Sequence, residues 1–242
     1  MRYVVISDIH SNFPALQAVL ADAAPFDGVL CIGDIVGYGP NPNQCIERIQ
    51  EFDATVIAGN HDWGAIGRAD LFIFNRDARE ALLWTQQRIV AENRNYLSQL
   101  PTTKPIDGVL LSHGSPREPI WEYLVDVHSA EENFAANDFQ TAIVGHTHLP
   151  LIYEWIENLE QVRMLRPDWD EPLHLEDRRL ILNPGSVGQP RDGDPRASYA
   201  ILDTDAQLWY HRRAPYAVEI TQERMRARNL PERLINRLKL GR

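Results

Sequence analysis

The sequence predicts an α/β protein built from two β-sheets. Over about the first 150 residues, apolar runs alternate with amphipathic segments, a pattern typical of a largely parallel sheet covered by helices. After Pro150, strand-like runs follow one another with short links, which predicts a second, mostly antiparallel sheet packed on the first. Because we find no internal repeat, low-complexity segment or linker, residues 1–242 are expected to form one domain.

Five apolar runs in the first part are predicted strands. They are nearly continuous in Val, Ile and Leu, as strands buried on both faces should be. Each run ends at Gly or at polar side chains. The predicted strands are residues 2–7, 28–32, 55–58, 108–112 and 141–144.

Helices are predicted between these strands. Pro14 suits an early position of the first helix, and residues 43–49 form a short second one. The longest predicted helix covers residues 75–100. Ser129 is expected to be the N-cap of a later helix, since a Glu follows three residues on. The positions expected to face inward in the long helix include Ala78, Leu82, Ile89 and Leu97.

The second part contains further predicted strands and a charged tail. The tail, residues 222–239, is predicted to be a pair of helices separated near Pro231. Residues 167–172 are predicted to form a surface loop. The predicted strands of this part are residues 151–155, 161–165, 179–182, 198–202 and 207–212.

Composition excludes several classes of function. The net charge of −10 argues against an electrostatic grip on long nucleic acid. No apolar run approaches the length of a membrane span, and no secretory signal precedes the first strand, so a cytoplasmic protein without membrane association is expected. Cys31 and Cys45 are expected to be reduced and buried, not part of a disulfide or zinc framework.

Polar residues follow all five early strands. In open α/β sheets, ligands bind beyond the carboxyl ends of the strands, so these side chains are expected to meet in one cleft. Taken alone, Gly59-Asn60-His61-Asp62 would suit a polar turn equally well, but five such clusters favour a site. The candidate residues are Asp8, His10, Asp34, Asn60, His61, His113, His146 and His148.

The candidate donors favour transition-metal ions. Carboxylates, an amide oxygen and imidazoles without thiolates suit Mn²⁺, Fe²⁺ or Zn²⁺, whereas Mg²⁺ prefers more oxygen ligands. Without His61, seven donors remain, too many for one tetrahedral ion but suitable for two ions that share a ligand. Asp34 is the natural bridge, since a carboxylate can span two metals. We therefore expect two divalent ions, with Mn²⁺ favoured and Fe, Zn, Ni or Mg as alternatives.

Such a centre favours a phosphate substrate. Two divalent ions bring +4 and two aspartates −2, leaving +2 to attract an anion. Paired ions also activate a water to hydroxide for in-line attack. His61 is expected to protonate the leaving group or to stabilise the developing charge. Asp62 either fixes the tautomer of His61 or simply caps the loop.

The motifs resemble those of calcineurin-like metallophosphoesterases. Asp8-Ile9-His10, Gly33-Asp34, Gly59-Asn60-His61-Asp62, His113 and Gly145-His146-Thr147-His148 resemble that family's five motif blocks, in the same order. Asn183-Pro184-Gly185-Ser186 resembles a segment of the small prokaryotic phosphodiesterase branch. The serine/threonine phosphatase branch has an arginine soon after the Gly-Asp block, which this chain lacks, so a phosphoprotein substrate is not expected.

The resemblance implies a fold and residue roles. The fold would be a four-layer sandwich of two mixed β-sheets flanked by helices, and His61 would be the catalytic histidine. Asp34 would be shared by both metal ions. The first ion would be held by Asp8, His10, Asp34 and His148, and the second by Asp34, Asn60, His113 and His146.

The expected function is hydrolysis of small or nucleotide-like phosphodiesters. A phosphomonoesterase or a nucleotide pyrophosphatase would use the same site, and a non-catalytic scaffold ranks lower because His61 and all seven ligands are present. A small phosphoester is the expected partner, and a homo-oligomer remains open.

Some further residues have two interpretations. Tyr38 and its neighbours either line the substrate pocket or support Asp34 from a turn, and Arg117 meets a phosphate or forms a surface salt bridge. The segment containing Trp121 and Tyr123 could cover the site. His128 is expected to be an ordinary surface residue, and His174 and His211 lack ligand partners nearby in sequence.

Overall fold

The computed structural model describes residues 1–169 and 171–242, which form two six-stranded mixed sheets flanked by helices. The sandwich expected from the sequence is therefore confirmed. The strands are β1 (Arg2–Ile6), β2 (Gly28–Cys31), β3 (Ala54–Val56), β4 (Thr103–Ile106), β5 (Val109–Ser112), β6 (Thr141–Ile143), β7 (Pro150–Ile156), β8 (Gln161–Leu165), β9 (Leu173–His174), β10 (Arg179–Pro184), β11 (Ala197–Asp203) and β12 (Leu208–Ala214). The α-helices are α1 (Phe13–Ala23), α2 (Pro42–Gln50), α3 (Asn60–Ile66), α4 (Arg76–Arg88), α5 (Ala91–Ser98), α6 (Val127–Ala136), α7 (Val218–Arg226) and α8 (Glu232–Arg237).

The sequence suggested that the first part of the chain forms one sheet and the second part the other. This prediction is wrong, because each sheet contains strands from both parts. The first sheet has the order β3-β2-β1-β11-β12-β9, and the second β4-β5-β6-β10-β7-β8. Each sheet thus combines early strands that are mostly parallel with late strands that are mostly antiparallel. One late strand, β10, pairs parallel to β6, so its carboxyl end lies at the same edge as those of the early strands of that sheet.

The sheets and helices form four layers. Between the sheets, side chains such as Val5 of β1 and Leu182 of β10 share one cluster. Because neighbouring strand residues point to opposite faces, Val4 packs outward in a cluster with residues of α1 and α2. On the outer side of the second sheet, Ile181 clusters with Phe134 of α6. Strands β1 and β10 are thus buried on two faces. For β1, this burial was predicted from its continuous apolar run.

The predicted long helix is two helices, α4 and α5. Ile89 and Val90, both β-branched and of lower helix propensity, lie between them with extended backbone. Ile89 is buried in the core at this break. The inward positions predicted along the helix are all buried: Ala78, Leu82, Ile89 and Leu97.

Two other local predictions needed correction. The N-cap of α6 is Asp126, whose carboxylate accepts the N–H of Ser129, so Ser129 lies in the first turn and is not the cap. Asn60 begins helix α3, so the Gly-Asn-His-Asp segment is not a loop. The sequence also gave no signal for β4 or for the two-residue β9.

The charged tail forms α7 and α8, separated at Pro231 as predicted. Its apolar side chains, including Met225 and Ile235, pack with Ala81 of α4 and with the Tyr38 ring. The tail therefore supports the loop that follows β2.

Both cysteine thiols are buried and free, as predicted. The predicted surface loop 167–172 includes Asp170, which lies outside the described residues. None of the helices formed by the described residues is long and apolar enough to cross a membrane.

Candidate metal centre

The carboxyl ends of strands from both sheets bring the predicted ligands together. Asp8 follows β1, Asp34 follows β2 and His113 directly follows β5. His146 and His148 follow β6, and Asn60 begins the helix after β3. All the predicted site residues are 4% exposed or less, so the cluster is buried against both sheets. They are Asp8, His10, Asp34, Asn60, His61, His113, His146 and His148.

Backbone carbonyls orient three of the imidazoles. A carbonyl only accepts hydrogen bonds, so the ring nitrogen facing it carries the proton. His10 Nδ1 donates to Val36 O (3.1 Å), His113 Nδ1 to Ile32 O (2.7 Å) and His148 Nδ1 to Gln189 O (2.6 Å). The Nε2 atoms of all three rings are thereby directed at the neighbouring ligand atoms, the arrangement in which metal-binding histidines are held.

Two carboxylate oxygens lie among these nitrogens. Asp8 Oδ1 is 3.3 Å from His148 Nε2, and Asp34 Oδ2 is 3.6 Å from His10 Nε2 and 3.4 Å from His113 Nε2. Among the described residues, neither oxygen has a hydrogen-bond partner, and neither does His146 Nε2. Since buried polar atoms are rarely left unpaired, these atoms fit metal coordination.

Three groups of side chains have ligand atoms within 4.8 Å of one another. Asp34 belongs to two of them and so lies between the two sides of the cluster. The groups are Asp8, His10 and His148; Asp34, His113 and His146; and His10, Asp34 and His61. Asn60 Oδ1 lies 3.2 Å from His113 Nε2 and thus adjoins the second group.

The backbone is strained at this cluster. Asp8, His10, Asp34, His146 and His148 all have positive φ angles, between 48° and 64°. A non-glycine residue in this region costs about 1–3 kcal/mol and persists only where the surroundings enforce it. Such strain is typical of functional sites, and here it coincides with the convergence of ligand atoms.

Burial and close charges shift the pKa values of the cluster. Burial raises the pKa of Asp8 to about 7 and lowers those of His10, His146 and His148 well below the usual value. Burial opposes protonation of His113, but the Asp34 carboxylate outweighs it and raises that pKa to about 9. The buried Asp34 carboxylate thus favours a positive charge beside it.

His61 lies in the first turn of α3 at the edge of the cluster. Its backbone N–H donates to Asp34 Oδ1 (2.8 Å), which ties the helix to the central carboxylate. Its ring lies between Tyr38 and Phe74, with centroid distances of 4.4 and 5.1 Å. Burial lowers the pKa of His61 to about 4, so its imidazole is neutral near pH 7.

Asp62 caps helix α3. Its two carboxylate oxygens accept the N–H groups of Gly59 (3.0 Å) and Val36 (3.1 Å), whereas His61 Nδ1 has no hydrogen-bond partner among the described residues. Of the two interpretations of Asp62 from the sequence, the cap is the one that the structure shows. Burial, followed by the Asp34 charge, raises the pKa of Asp62 to about 7.

The Asn-Pro-Gly-Ser segment supports the ligand loops. Asn183 Nδ2 donates to Gly145 O (2.8 Å) and to Thr147 Oγ1 (3.0 Å), so it holds the loop that carries His146 and His148. Ser186 Oγ donates to Asp8 O (2.8 Å). Glycine is required at Gly145, because a Cβ there would overlap with the Ser7 hydroxyl.

Three larger side chains form a rim around the cluster, which we define as Tyr38, Tyr123 and Arg191. The Tyr38 ring contacts the rings of His10 and His61, and Arg191 Nη2 lies 3.5 Å from Tyr38 Oη. Tyr123, 53% exposed, stacks on His146 with a centroid distance of 3.8 Å. Tyr38 and Tyr123 had been considered from the sequence. Arg191 had not been considered. The only feature of the sequence that could have pointed to it is its position five residues after the Asn-Pro-Gly-Ser segment.

The remaining candidates lie outside the centre. Arg117 forms ion pairs with Glu122 and Glu132, the salt-bridge alternative. His128 is a surface residue, 3.6 Å from Glu132. His211 is buried, with Nε2 2.9 Å from Asn183 O, and belongs to the support behind the ligand loop.

The fold and the buried centre together define a two-sheet α/β protein with a His/Asp site at the strand ends. The family model that matches residues 1–207 is the calcineurin-like phosphoesterase superfamily domain, and the chain belongs to that superfamily. It is a family of metal-dependent phosphoric ester hydrolases.

Two relatives cover nearly the whole chain, and a third covers part of it. A metallophosphoesterase structure from Sphaerobacter thermophilus is 44% identical, with a TM-score of 0.92 over 100% of this chain and 99% of that one. An uncharacterized protein from Methanocaldococcus jannaschii is 41% identical over 98% of this chain and 97% of its own length. A symmetrical bis(5′-nucleosyl)-tetraphosphatase from Chromohalobacter salexigens is 27% identical over 65% of this chain and 60% of its own.

Proposed function

We propose that the protein is a dinuclear metal-dependent phosphodiesterase that acts on small or nucleotide-like substrates. The observation that carries this proposal is the convergence of unpaired, buried ligand atoms at the ends of strands from both sheets. Asp34, which belongs to two of the three groups of ligand atoms, would be the ligand shared by the two ions. One ion would be held by Asp8, His10, Asp34 and His148, and the other by Asp34, Asn60, His113 and His146.

The donor set also suits the proposed ions. Imidazoles, carboxylates and one amide favour Mn²⁺, Fe²⁺ or Zn²⁺ over Mg²⁺, and we favour Mn²⁺. When bound, such a pair supplies the Lewis acidity that activates a water and neutralises the phosphate charge.

His61 is proposed as the catalytic histidine. Because burial lowers its pKa to about 4, the ring is neutral near pH 7 and acts by donating an N–H hydrogen bond to a developing charge. This favours the second of its two expected roles over outright protonation of the leaving group. Asp34 fixes the position of His61 by accepting its backbone N–H.

Two observations bear on the class of substrate. No arginine follows soon after the Gly33-Asp34 block, which argues against a phosphoprotein substrate. In addition, one relative is named a bis(5′-nucleosyl)-tetraphosphatase, which supports a nucleotide-like substrate. A phosphomonoesterase or a nucleotide pyrophosphatase using the same residues is the alternative.

The test compares an aryl phosphodiester with the matching monoester. Metal-stripped protein is reloaded separately with Mn²⁺, Mg²⁺, Zn²⁺ or Ni²⁺, and the metal content of each sample is measured. We expect two ions per chain and faster turnover of the diester. Preference for the monoester would select the phosphomonoesterase alternative. A chain that binds no metal would overturn the proposal.

A further inference from the structure

A cavity of about 620 Å³ adjoins the centre on its His148 side, and we refer to it as the lateral cavity. Its volume falls in the range of about 300–1,000 Å³ typical of small-molecule sites. The lining residues on which the argument depends are Leu149, Arg166, Trp169, Arg191, Asp192 and Arg213.

Arg191 connects the lateral cavity to the candidate metal centre. Its guanidinium lies 3.5 Å from Tyr38 Oη and 3.2 Å from Gln189 Oε1, and its backbone N–H donates to His148 O (3.3 Å). Leu149, the residue after His148, lines the same cavity. Arg191 and Leu149 therefore place the lateral cavity next to the cluster.

The lateral cavity carries an excess of positive charge. Its two carboxylates are already compensated, since Asp192 pairs with Arg213 and Asp194 with Arg196. Among the described residues, Arg191 forms no salt bridge, and its buried Nε atom has no hydrogen-bond partner. Arg191 thus has donors available for an anion, and guanidinium groups suit phosphate oxygens in particular.

Trp169 gives the lateral cavity a flat apolar surface. The guanidinium of Arg213, itself only 5% exposed, lies 4.6 Å from the centre of the indole ring. The Trp169 side chain nevertheless remains 38% exposed. An indole held on one side by a buried arginine is a suitable platform for a planar ring, since every nucleobase presents a π-face.

We propose that the lateral cavity binds the nucleotide part of the substrate, with Arg191 contacting a phosphate next to the scissile one and Trp169 stacking on the base. This deepens the proposed function, because it uses the same metal centre for the reaction. It makes Arg191 and Trp169 specificity-determining residues.

Binding of a non-hydrolysable nucleotide tests this proposal. Calorimetry would measure the affinity of the full chain for α,β-methylene-ADP and for methylene diphosphonate, which has the charged groups without the nucleoside. We expect Arg191→Gln to weaken both ligands by about 10- to 100-fold, the loss of a charged hydrogen bond. Trp169→Leu should weaken the nucleotide by about tenfold and leave the diphosphonate unchanged.

Two further variants control for folding and for charge. Arg166→Gln changes an exposed arginine of the lateral cavity and should also weaken the nucleotide, so the test remains if Arg191→Gln unfolds. Arg117→Gln removes an arginine whose ion pairs lie outside the lateral cavity and should leave both affinities unchanged.

The outcomes separate this inference from the proposed function. The nucleotide assignment would be overturned, even in an active phosphodiesterase, if all the cavity variants changed the affinities by less than twofold. It would also be overturned if the diphosphonate bound as tightly as the nucleotide. Nucleotide binding that depends on Arg191 and Trp169, in a protein that hydrolyses no phosphoester, would leave the inference standing and overturn the function.

Discussion

The buried cluster and the rim around it lie at the same edge of the molecule, but the chain holds them in different ways. In the cluster, side chains follow the ends of buried strands closely, and backbone carbonyls orient the rings of His10, His113 and His148. At the rim, Tyr38 and Arg191 come from loops and are placed mainly by contacts with other side chains. The cluster is therefore expected to be rigid and intolerant of change, and the rim to tune which substrates are accepted.

The largest effect is expected from Asp34→Asn, because Asp34 belongs to two of the three groups of ligand atoms. Loss of a residue that only supports a ligand already weakens metal binding by about 10- to 100-fold, and loss of a shared ligand should exceed that at both sites. Metal titration and elemental analysis would measure the two sites. A variant that still binds two ions with unchanged affinity would remove Asp34 from the shared position.

The matched control is Asp62→Asn, a second buried aspartate, in the first turn of α3. Both of its oxygens accept backbone N–H groups, so its loss should cost about 1–3 kcal/mol of folding stability while both ions remain bound. Chemical denaturation would measure the stability. If Asp62→Asn lost metal as readily as Asp34→Asn, the distinction between ligand and cap would be wrong.

The next effect is expected from His61→Gln, at the boundary of cluster and rim. A positioned histidine contributes about 10²- to 10⁴-fold to the rate, so kcat should fall by that amount. Metal content should stay unchanged if His61 is catalytic. The group of His10, Asp34 and His61 makes a ligand role geometrically feasible, and loss of an ion in this variant would establish that role instead.

The difference between cluster and rim explains how far the sequence could be interpreted. Strand ends leave a local signal, an apolar run followed by Gly and polar residues, so residues such as Asp8 and His113 could be identified and all eight meet at one edge. Whether each of them binds metal or substrate stays a prediction. The break between α4 and α5 is marked more weakly in the sequence, by two adjacent β-branched residues, Ile89 and Val90.

Arg191 was missed because its position depends on pairing between distant strands. The run that became β10 was assigned to a separate antiparallel sheet, where its end would have had no relation to the site. In the structure, β10 pairs parallel to β6, which brings Asn183 and the segment leading to Arg191 to the ligand edge. A run of residues does not reveal which neighbour its strand will pair with, and β10 in fact pairs parallel to β6 on one side and antiparallel to β7 on the other.

A smaller effect is expected from Asn183→Ala, which tests whether the cluster depends on its support. The substitution leaves the buried carbonyl of Gly145 without this donor, at a cost of about 1–3 kcal/mol. Because the same loop carries His146 and His148, metal affinity should fall by about tenfold. Asn137→Ala, in a partly exposed asparagine at the end of α6, is the control and should change neither quantity. Unchanged metal affinity in Asn183→Ala would show that the ligand loop holds itself.

The smallest effect on the metal centre is expected from His211, a buried histidine behind Asn183 that acts on folding stability. Burial lowers the pKa of His211 to about 4, against 6.5 for an ordinary histidine; the contact of Nε2 with Asn183 O acts in the opposite direction, and the Arg213 charge lowers the pKa further. Its Nδ1 accepts a hydrogen bond from Trp209 Nε1. Between these pH values the unfolded chain binds a proton that the folded chain does not. Folding stability should therefore fall as the pH drops from 6.5 to about 4, by up to about 3 kcal/mol from this residue.

Comparison with His211→Gln isolates that contribution. The metal-free wild type and variant would be denatured at pH values from 7 to 4. All other titrating groups are common to both proteins, so their contributions cancel in the difference between the two unfolding free energies. The variant should be less stable at pH 7, since packing and hydrogen bonds change, and the difference should narrow as the pH falls. Parallel stability curves would mean that His211 has the same pKa in the folded and unfolded chains. In that case burial would not keep His211 neutral, and the support behind the ligand loop would become charged as the pH falls below 6.5.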